Sequence, residues 1–207
     1  MESIAMVNPA NGSRTKYPQR DTNPPVDWTE ELKNAIREAK ILHLDGTNYQ
    51  NAVSAARIAK KNGVLVSLDG CSMQTDNEKN KALASMADIL IMNKKYPLRV
   101  SGKSSYEEAL LEMSTWGPKI VACTLGEKGS LAVVDGVVQA FPAFPAEKVV
   151  DTTGCGDVFH GGFLCAYLMG MNLEDSIRFG SITASMKCRM PGGRAGIPTR
   201  EEVLKNM

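Results

Sequence analysis

The sequence predicts an α/β fold: a mostly parallel β-sheet with helices on both faces. Three runs carry that expectation, VLVSL (64–68), DILIM (88–92) and KIVACTLG (119–126), each too continuously apolar for a strand with one wet face. Helical periodicity fills the spaces between them, so a strand follows a helix four times between residues 30 and 126. Such alternation implies right-handed crossovers between parallel neighbours and a sheet covered on both sides. In open sheets of this kind, ligands are received beyond the carboxyl ends of the strands.

The elements follow in order. SIAMV and RTKYP flank Asn11-Gly12, a favoured two-residue hairpin turn, and DTNPP (21–25) reads as a linker. Asp27-Trp28-Thr29-Glu30 resembles a capping box opening the helix TEELKNAIREA. ILHL (41–44) is a short strand, and the helix over 48–62 ends at Gly63, a natural C-terminal cap. NEKNKALASMA is helical, and Ser104-Ser105-Tyr106-Glu107 opens the helix YEEALLEMSTW. SLAVVDGVVQAF holds two β-rich runs about Asp135-Gly136, a hairpin. Helices over 156–169 and 173–187 follow, then the loop PGGRAGIP and a short helix capped by Thr199 with Glu202.

Bulk properties remove several function classes. With 207 residues, 43% of them hydrophobic, the chain can bury a sizeable core. Its 24 basic and 23 acidic residues balance, so a basic stripe for nucleic acid or for a membrane surface is not expected. The five cysteines, Cys71, Cys123, Cys155, Cys165 and Cys188, are scattered and form no C-x-x-C pair, which argues against a disulfide framework or a zinc site. No apolar run reaches the ~20 residues of a membrane span, and MESIAMVNPANG has no signal-peptide pattern. A cytosolic compartment is the expectation.

The stretch VVDTTGCGDVFHGGFLCAYLMG (149–170) carries the chemistry. Gly154 and Gly156 permit backbone conformations that a Cβ resists. The amides of residues 154–157 would open the following helix, where unpaired N–H groups and the helix dipole make an anion site. Asp157 is the odd member, because a carboxylate would repel a resident phosphate. In phosphoryl transfer the combination makes sense: the carboxylate takes the proton of an attacking hydroxyl while the amides neutralise charge on the transferred group. His160, three residues on, could share a helix face with Asp157 as an orienting or metal-binding partner, but a substrate-edge or supporting histidine fits better. His43 in ILHL is a strand residue towards the sheet's ligand end. No G-x-S-x-G, H-E-x-x-H or G-x-x-x-x-G-K-[ST] motif is present.

DTTGCGD followed by VFHGGFL resembles the C-terminal signature of the ribokinase-like, or PfkB-type, carbohydrate kinases, D-T-x-G-A-G-D-x-F-x-G-x-F. ADILIMN resembles that family's strand ending in Asn, VACTLGEKGSLAV its T-x-G-x-x-G segment, and PGGRAGIPTREEV its terminal loop and helix. The resemblance implies an ATP- and Mg2+-dependent kinase acting on a hydroxyl of a sugar or related small molecule. Asp157 would be the catalytic base, with Gly154, Cys155 and Gly156 forming the anion hole. Asn93, Thr124, Gly126 and Gly129 would contact the nucleotide. Asp151 and Thr153, with Gly192 and Gly196, would hold a monovalent cation such as K+.

Two departures stand out. Cys155 replaces the usual alanine, which permits a thiol-regulated enzyme. The family's N-x-x-E element reads Asn93-Lys94-Lys95-Tyr96, which weakens the expectation for magnesium. The resemblance further implies that the first sheet strands, the G-G-x-x-x-N sugar contact and most of a β lid have no match here. Residues 1–26 would then be a lid remnant and linker, and 27–207 the nucleotide-binding and catalytic core. A shortened kinase would expose sheet edges, be poorly stable or a homo-oligomer, and have little sugar-kinase activity. The rival expectation is a non-catalytic nucleotide-binding or interaction protein derived from such a kinase.

Overall fold

The computed structural model describes residues 3–8, 10–18, 26–71 and 76–207; the linker expected at 21–25 lies outside them. The chain divides into two units, one formed by Met1–Pro24, Gly126–Gly129 and Phe141–Met207, the other by Pro25–Leu125 and Ser130–Ala140.

The first unit begins with β1 (Ser3–Val7) and β2 (Arg14–Pro18), paired antiparallel from Ser3↔Pro18 to Val7↔Arg14. The turn is wider than the two residues expected: Asn8 N–H donates to Ser13 O at 2.7 Å, and Gly12 takes a φ of +67° inside it. Ile4 and Tyr17 face each other across this hairpin, and with Met6 they are largely exposed.

The second unit holds the sheet. It runs through α1 (Glu30–Glu38), β3 (Ile41–Leu44), α2 (Tyr49–Lys61), β4 (Leu65–Gly70), α3 (Asn77–Ala84) and β5 (Ile89–Asn93). It continues through α4 (Tyr96–Ser101), α5 (Tyr106–Ser114), β6 (Ile120–Thr124), β7 (Ser130–Val134) and β8 (Val137–Phe141). Strand order is β3-β4-β5-β6-β7-β8, with β3 to β6 parallel and β6–β7 antiparallel. Asp135 and Gly136, both at positive φ, make the β7–β8 turn that the D-G dipeptide predicts. Alternation along the strands explains their apolar runs. Val66, Leu68, Leu90, Met92, Val121 and Cys123 pack with residues of α1 to α5 in one core, while Ser67, Ile89, Ile91 and Ala122 point the other way and are equally buried.

Three local expectations change. The cap of α1 is Thr29 alone, whose hydroxyl accepts from Leu32 N–H; Asp27 takes no part because the helix starts only at Glu30. Ser105 caps α5 through Glu108 N–H, one residue later than a Ser104 cap would require. Helix α4 was not expected; Pro97 in its first turn and Gly102 at its left-handed C-cap are the signals that mark it.

The first unit resumes with α6 (Cys155–Leu168), α7 (Leu173–Lys187) and α8 (Arg200–Leu204). Glycines bring α6 and α7 together: a Cβ at Gly162 would stand 2.6 Å from Thr183 Oγ1, and one at Gly180 would stand 2.9 Å from Phe159 O. The predicted capping box of α8 is present, with Thr199 and Glu202 bonded reciprocally.

Candidate active site

The segment 151–157 is held from three directions within the first unit. Arg14 of β2 donates from one guanidinium nitrogen to Thr152 O at 2.6 Å and Thr152 Oγ1 at 2.9 Å. The Thr152 hydroxyl and N–H donate in turn to Gly12 O, at 2.8 and 3.2 Å. Val150 and Asp151 N–H donate to Cys188 O at the end of α7. Gly154 is the N-cap of α6 with φ +77°, and a Cβ there would lie 2.6 Å from Gly193 O. Both conditions demand glycine.

No side chain caps α6. Its first N–H groups lack intrahelical acceptors by geometry. Cys155 N–H donates back to Thr152 O at 3.2 Å, so of the expected anion hole the donors left over are the amides about Gly154, Gly156 and Asp157. The positive end of a fourteen-residue helix stands behind them.

Asp151 is the hub. Its carboxylate is 4% exposed and accepts Thr153 N–H on one oxygen and Gly192 N–H on the other, both at 2.7 Å. Lys187, fully buried, donates its ammonium to Asp151 O at 3.0 Å. Burial alone would raise the carboxyl, but the Thr153 and Gly192 bonds and the Lys187 charge outweigh it and hold Asp151 below its ordinary value of 3.8. A carboxyl lowered by folding stabilises the fold fully above 3.8, and that contribution is lost as pH falls through the lower folded value. Urea midpoints are therefore expected to drop below about pH 4 in the native chain. Asp151→Asn should flatten that drop and cost about 1–3 kcal/mol at neutral pH, through amides left without a carboxylate. An unchanged acid limb in the variant would contradict the assignment.

Asp157 sits exposed in the first turn of α6. It lines a cavity of about 580 Å³ together with Gly161 and Cys165 of α6, Phe179 and Thr183 of α7, and Arg194. His160 does not join it: the imidazole is 4% exposed and lies edge-on to Phe159. Asp157 and His160 thus occupy different environments on α6. Thr153 Oγ1 is buried and has no hydrogen-bond partner. Gly192 touches Asp151 directly, whereas Gly196, at φ +81°, lies against Lys187 O and Met190.

The predicted nucleotide residues fall in two places. Asn93 and Thr124 are paired neighbours at the carboxyl ends of β5 and β6, where a parallel sheet receives ligands. The Asn93 side chain accepts from Lys95 N–H at 2.9 Å, and Thr124 Oγ1 donates to Met92 O at 3.3 Å. Gly126 and Gly129 bracket a single 3-10 turn, both at positive φ, with the Gly129 N–H bonded to Gly126 O. Tyr96 is 2% exposed, and its hydroxyl donates to Asn80 O at 3.1 Å. Burial pushes its pKa up, so it is a core phenol rather than an oxygen offered to a metal.

Arg14, Lys187, Cys188 and Gly193 all bear on the loop, and sequence reasoning missed them. No local motif marks them, since their partners lie 33 to 138 residues away in the chain. Only the glycine pair in PGGRAG hinted at Gly193.

With this geometry in place, the comparisons with known proteins are specific. The family model for pfkB family carbohydrate kinases matches residues 3–200. A ribokinase of Haemophilus influenzae is 33% identical over 208 residues, covering 98% of this chain and 64% of its own length. A cytidine kinase of Thermococcus kodakarensis is 40% identical over 102 residues, 48% of this chain and 36% of its own length. The structure of Arabidopsis thaliana ribokinase complexed with ribose and ATP matches with a TM-score of 0.83 at 29% identity, over 98% of this chain and 67% of that one. The chain therefore spans between 36% and 64% of the length of these two curated relatives.

Proposed function

The chain belongs to the pfkB family of carbohydrate kinases, and on that premise we propose that it transfers the γ-phosphoryl group of ATP to a hydroxyl of a sugar or nucleoside-like acceptor. The observation that carries this reading is Asp157, an exposed carboxylate in the first turn of a helix whose leading amides lack intrahelical acceptors. A carboxylate there weakens simple phosphate storage and suits proton removal. Asp157 accepts the proton of the incoming hydroxyl, and the amides at Gly154, Gly156 and Asp157 bind the oxygens of the transferred group. Asp151, Lys187 and Arg14 hold the loop so that those donors need no reorganisation when charge develops. Asn93 and Thr124, with Gly126 and Gly129, are the proposed nucleotide contacts. The ribose and ATP of the Arabidopsis relative support this ligand class.

Two ions fit the residues present. The Thr153 hydroxyl, buried without a partner beside the Asp151 carboxylate, suits a monovalent cation such as K+ held with the Gly192 and Gly196 segment. Among the described residues no group of three or more His, Cys, Asp or Glu could hold a metal. That suits Mg2+ carried mainly by nucleotide phosphates and water, where it would neutralise phosphate charge. Among the described residues no helix is long and apolar enough to cross a membrane.

Tyr96 supports a second reading, a nucleotide-binding protein without turnover, because the position expected to carry a glutamate is occupied by a buried phenol. One experiment separates the two: ADP release and ATP affinity, measured with Mg2+ and K+ against ribose, fructose and cytidine. Slow but acceptor-dependent ADP release is the expected result; ATP binding with no acceptor-dependent release would favour the second reading. The exposed Ile4, Met6 and Tyr17 support self-association through the hairpin. Sedimentation at tens of micromolar is expected to give a mass above that of one chain, and Met6→Lys to lower it; a native monomer would contradict this.

A further inference from the structure

We propose that Cys155 and Cys188 form a reversible oxidation site, in which a hydroperoxide joins them as a disulfide and fastens the start of α6 to the end of α7. The two sulfur atoms stand 3.0 Å apart although the residues are 33 positions apart in sequence. Cys155 is the first residue of α6 and half-buried, within reach of a small oxidant; Cys188 caps α7 and is buried. The segment that leads into Cys155 is already tied to Cys188, since Val150 and Asp151 N–H both donate to Cys188 O. Closing the gap to the ~2.05 Å of a disulfide therefore needs movement of side chains rather than of helices.

The surroundings act on the two thiols in opposite directions. The bond between the two sulfurs, helped by the charges of Lys187 and Arg14, lowers Cys188 against the opposing effects of burial and the Asp151 charge. Cys155 is pushed up by the same bond and by burial. Cys123, buried in apolar surroundings and pushed up to about 12, shows the inert alternative. A thiolate of the pair attacks one peroxide oxygen, the O–O bond breaks, and a sulfenic acid and one water result after protonation. The other sulfur then attacks the sulfenic sulfur, the S–O bond breaks, and the second water leaves with that thiol's proton. Two thiols lose two electrons and two protons, and hydrogen peroxide becomes two waters.

The bridge would restrain Cys155 beside the donors proposed to bind the transferred group, so oxidation should also slow phosphoryl transfer. That consequence rests on the function proposed above; the bridge itself does not. The test treats the reduced full chain with hydrogen peroxide, alkylates the remaining thiols, and maps tryptic peptides. Peptide 149–178 is expected linked to 188–189, in the native chain and in Cys165→Ala, which removes the other cysteine of the longer peptide. Dithiothreitol should release the link, and Cys188→Ala should prevent it. Phosphoryl transfer should fall at least tenfold on oxidation, recover with dithiothreitol, and persist through the same exposure in Cys188→Ala. A native chain whose Cys155 and Cys188 both stay alkylatable, or whose Cys155 pairs elsewhere, overturns the proposal. A chain that forms the link but transfers no phosphoryl group in either state upholds the oxidation site and contradicts the kinase reading.

Discussion

Asp157→Asn is expected to lower kcat for phosphoryl transfer by a factor of about 10²–10⁴, the usual worth of a positioned general base. That corresponds to roughly 3–5 kcal/mol of lost transition-state stabilisation. The substitution keeps shape and hydrogen-bonding reach but removes the proton acceptor. Because Asp157 is exposed in the first turn of α6, folding should be little affected, within about 0.5 kcal/mol. ATP affinity should hold or rise slightly, since a negative charge beside the phosphate site is gone. Steady-state kinetics with direct measurement of ATP binding check both parts. A variant that retains native kcat would show that the proton leaves by another route.

Gly154→Ala is expected to cost the fold on the order of 1–3 kcal/mol, the penalty of holding a residue with a Cβ in a left-handed conformation. Contact of that Cβ with the Gly193 carbonyl, 2.6 Å away, adds to it because both partners are backbone. Activity should fall beyond what the loss of folded protein explains, because the shift displaces the amides at the start of α6. Gly156→Ala is the control. Nothing lies within 4 Å of a Cβ there, its φ is not positive, and alanine in a helix is favourable by up to ~1 kcal/mol. Thermal unfolding should thus separate two glycines only two positions apart, and equal tolerance would contradict the account of the loop.

The fold was largely legible because its signals are local. Uniform apolar runs such as VLVSL and ILIMN are what strands buried on both faces require, and Thr199 with Glu202 announces a helix start in four residues. The motif DTTGCGD likewise marked the start of α6 to within one residue. What the motif could not reveal is what holds it. Arg14 reaches Thr152 across 138 positions and Gly192 reaches Asp151 across 41, and neither residue has a pattern that names its partner. Cys155 had no resolving thiol nearby in sequence, and the fold supplies Cys188 from the far end of α7. Tyr96 departed from a motif for a reason only packing shows: the space is core, and the phenol fills it and satisfies Asn80 O. Local periodicity fixes elements, while loops with chemistry depend on distant contacts.

The central claim is that the leading amides of α6 receive the transferred phosphoryl group beside Asp157. The most direct measurement is a crystal structure of the chain with ADP, Mg2+ and aluminium fluoride, a planar mimic of that group. The account predicts fluorine atoms within hydrogen-bonding distance of the Gly156 and Asp157 amides, with the Asp157 carboxylate facing the open axial side. A fluoride complex seated away from the start of α6, with those amides bound only to water, would contradict it.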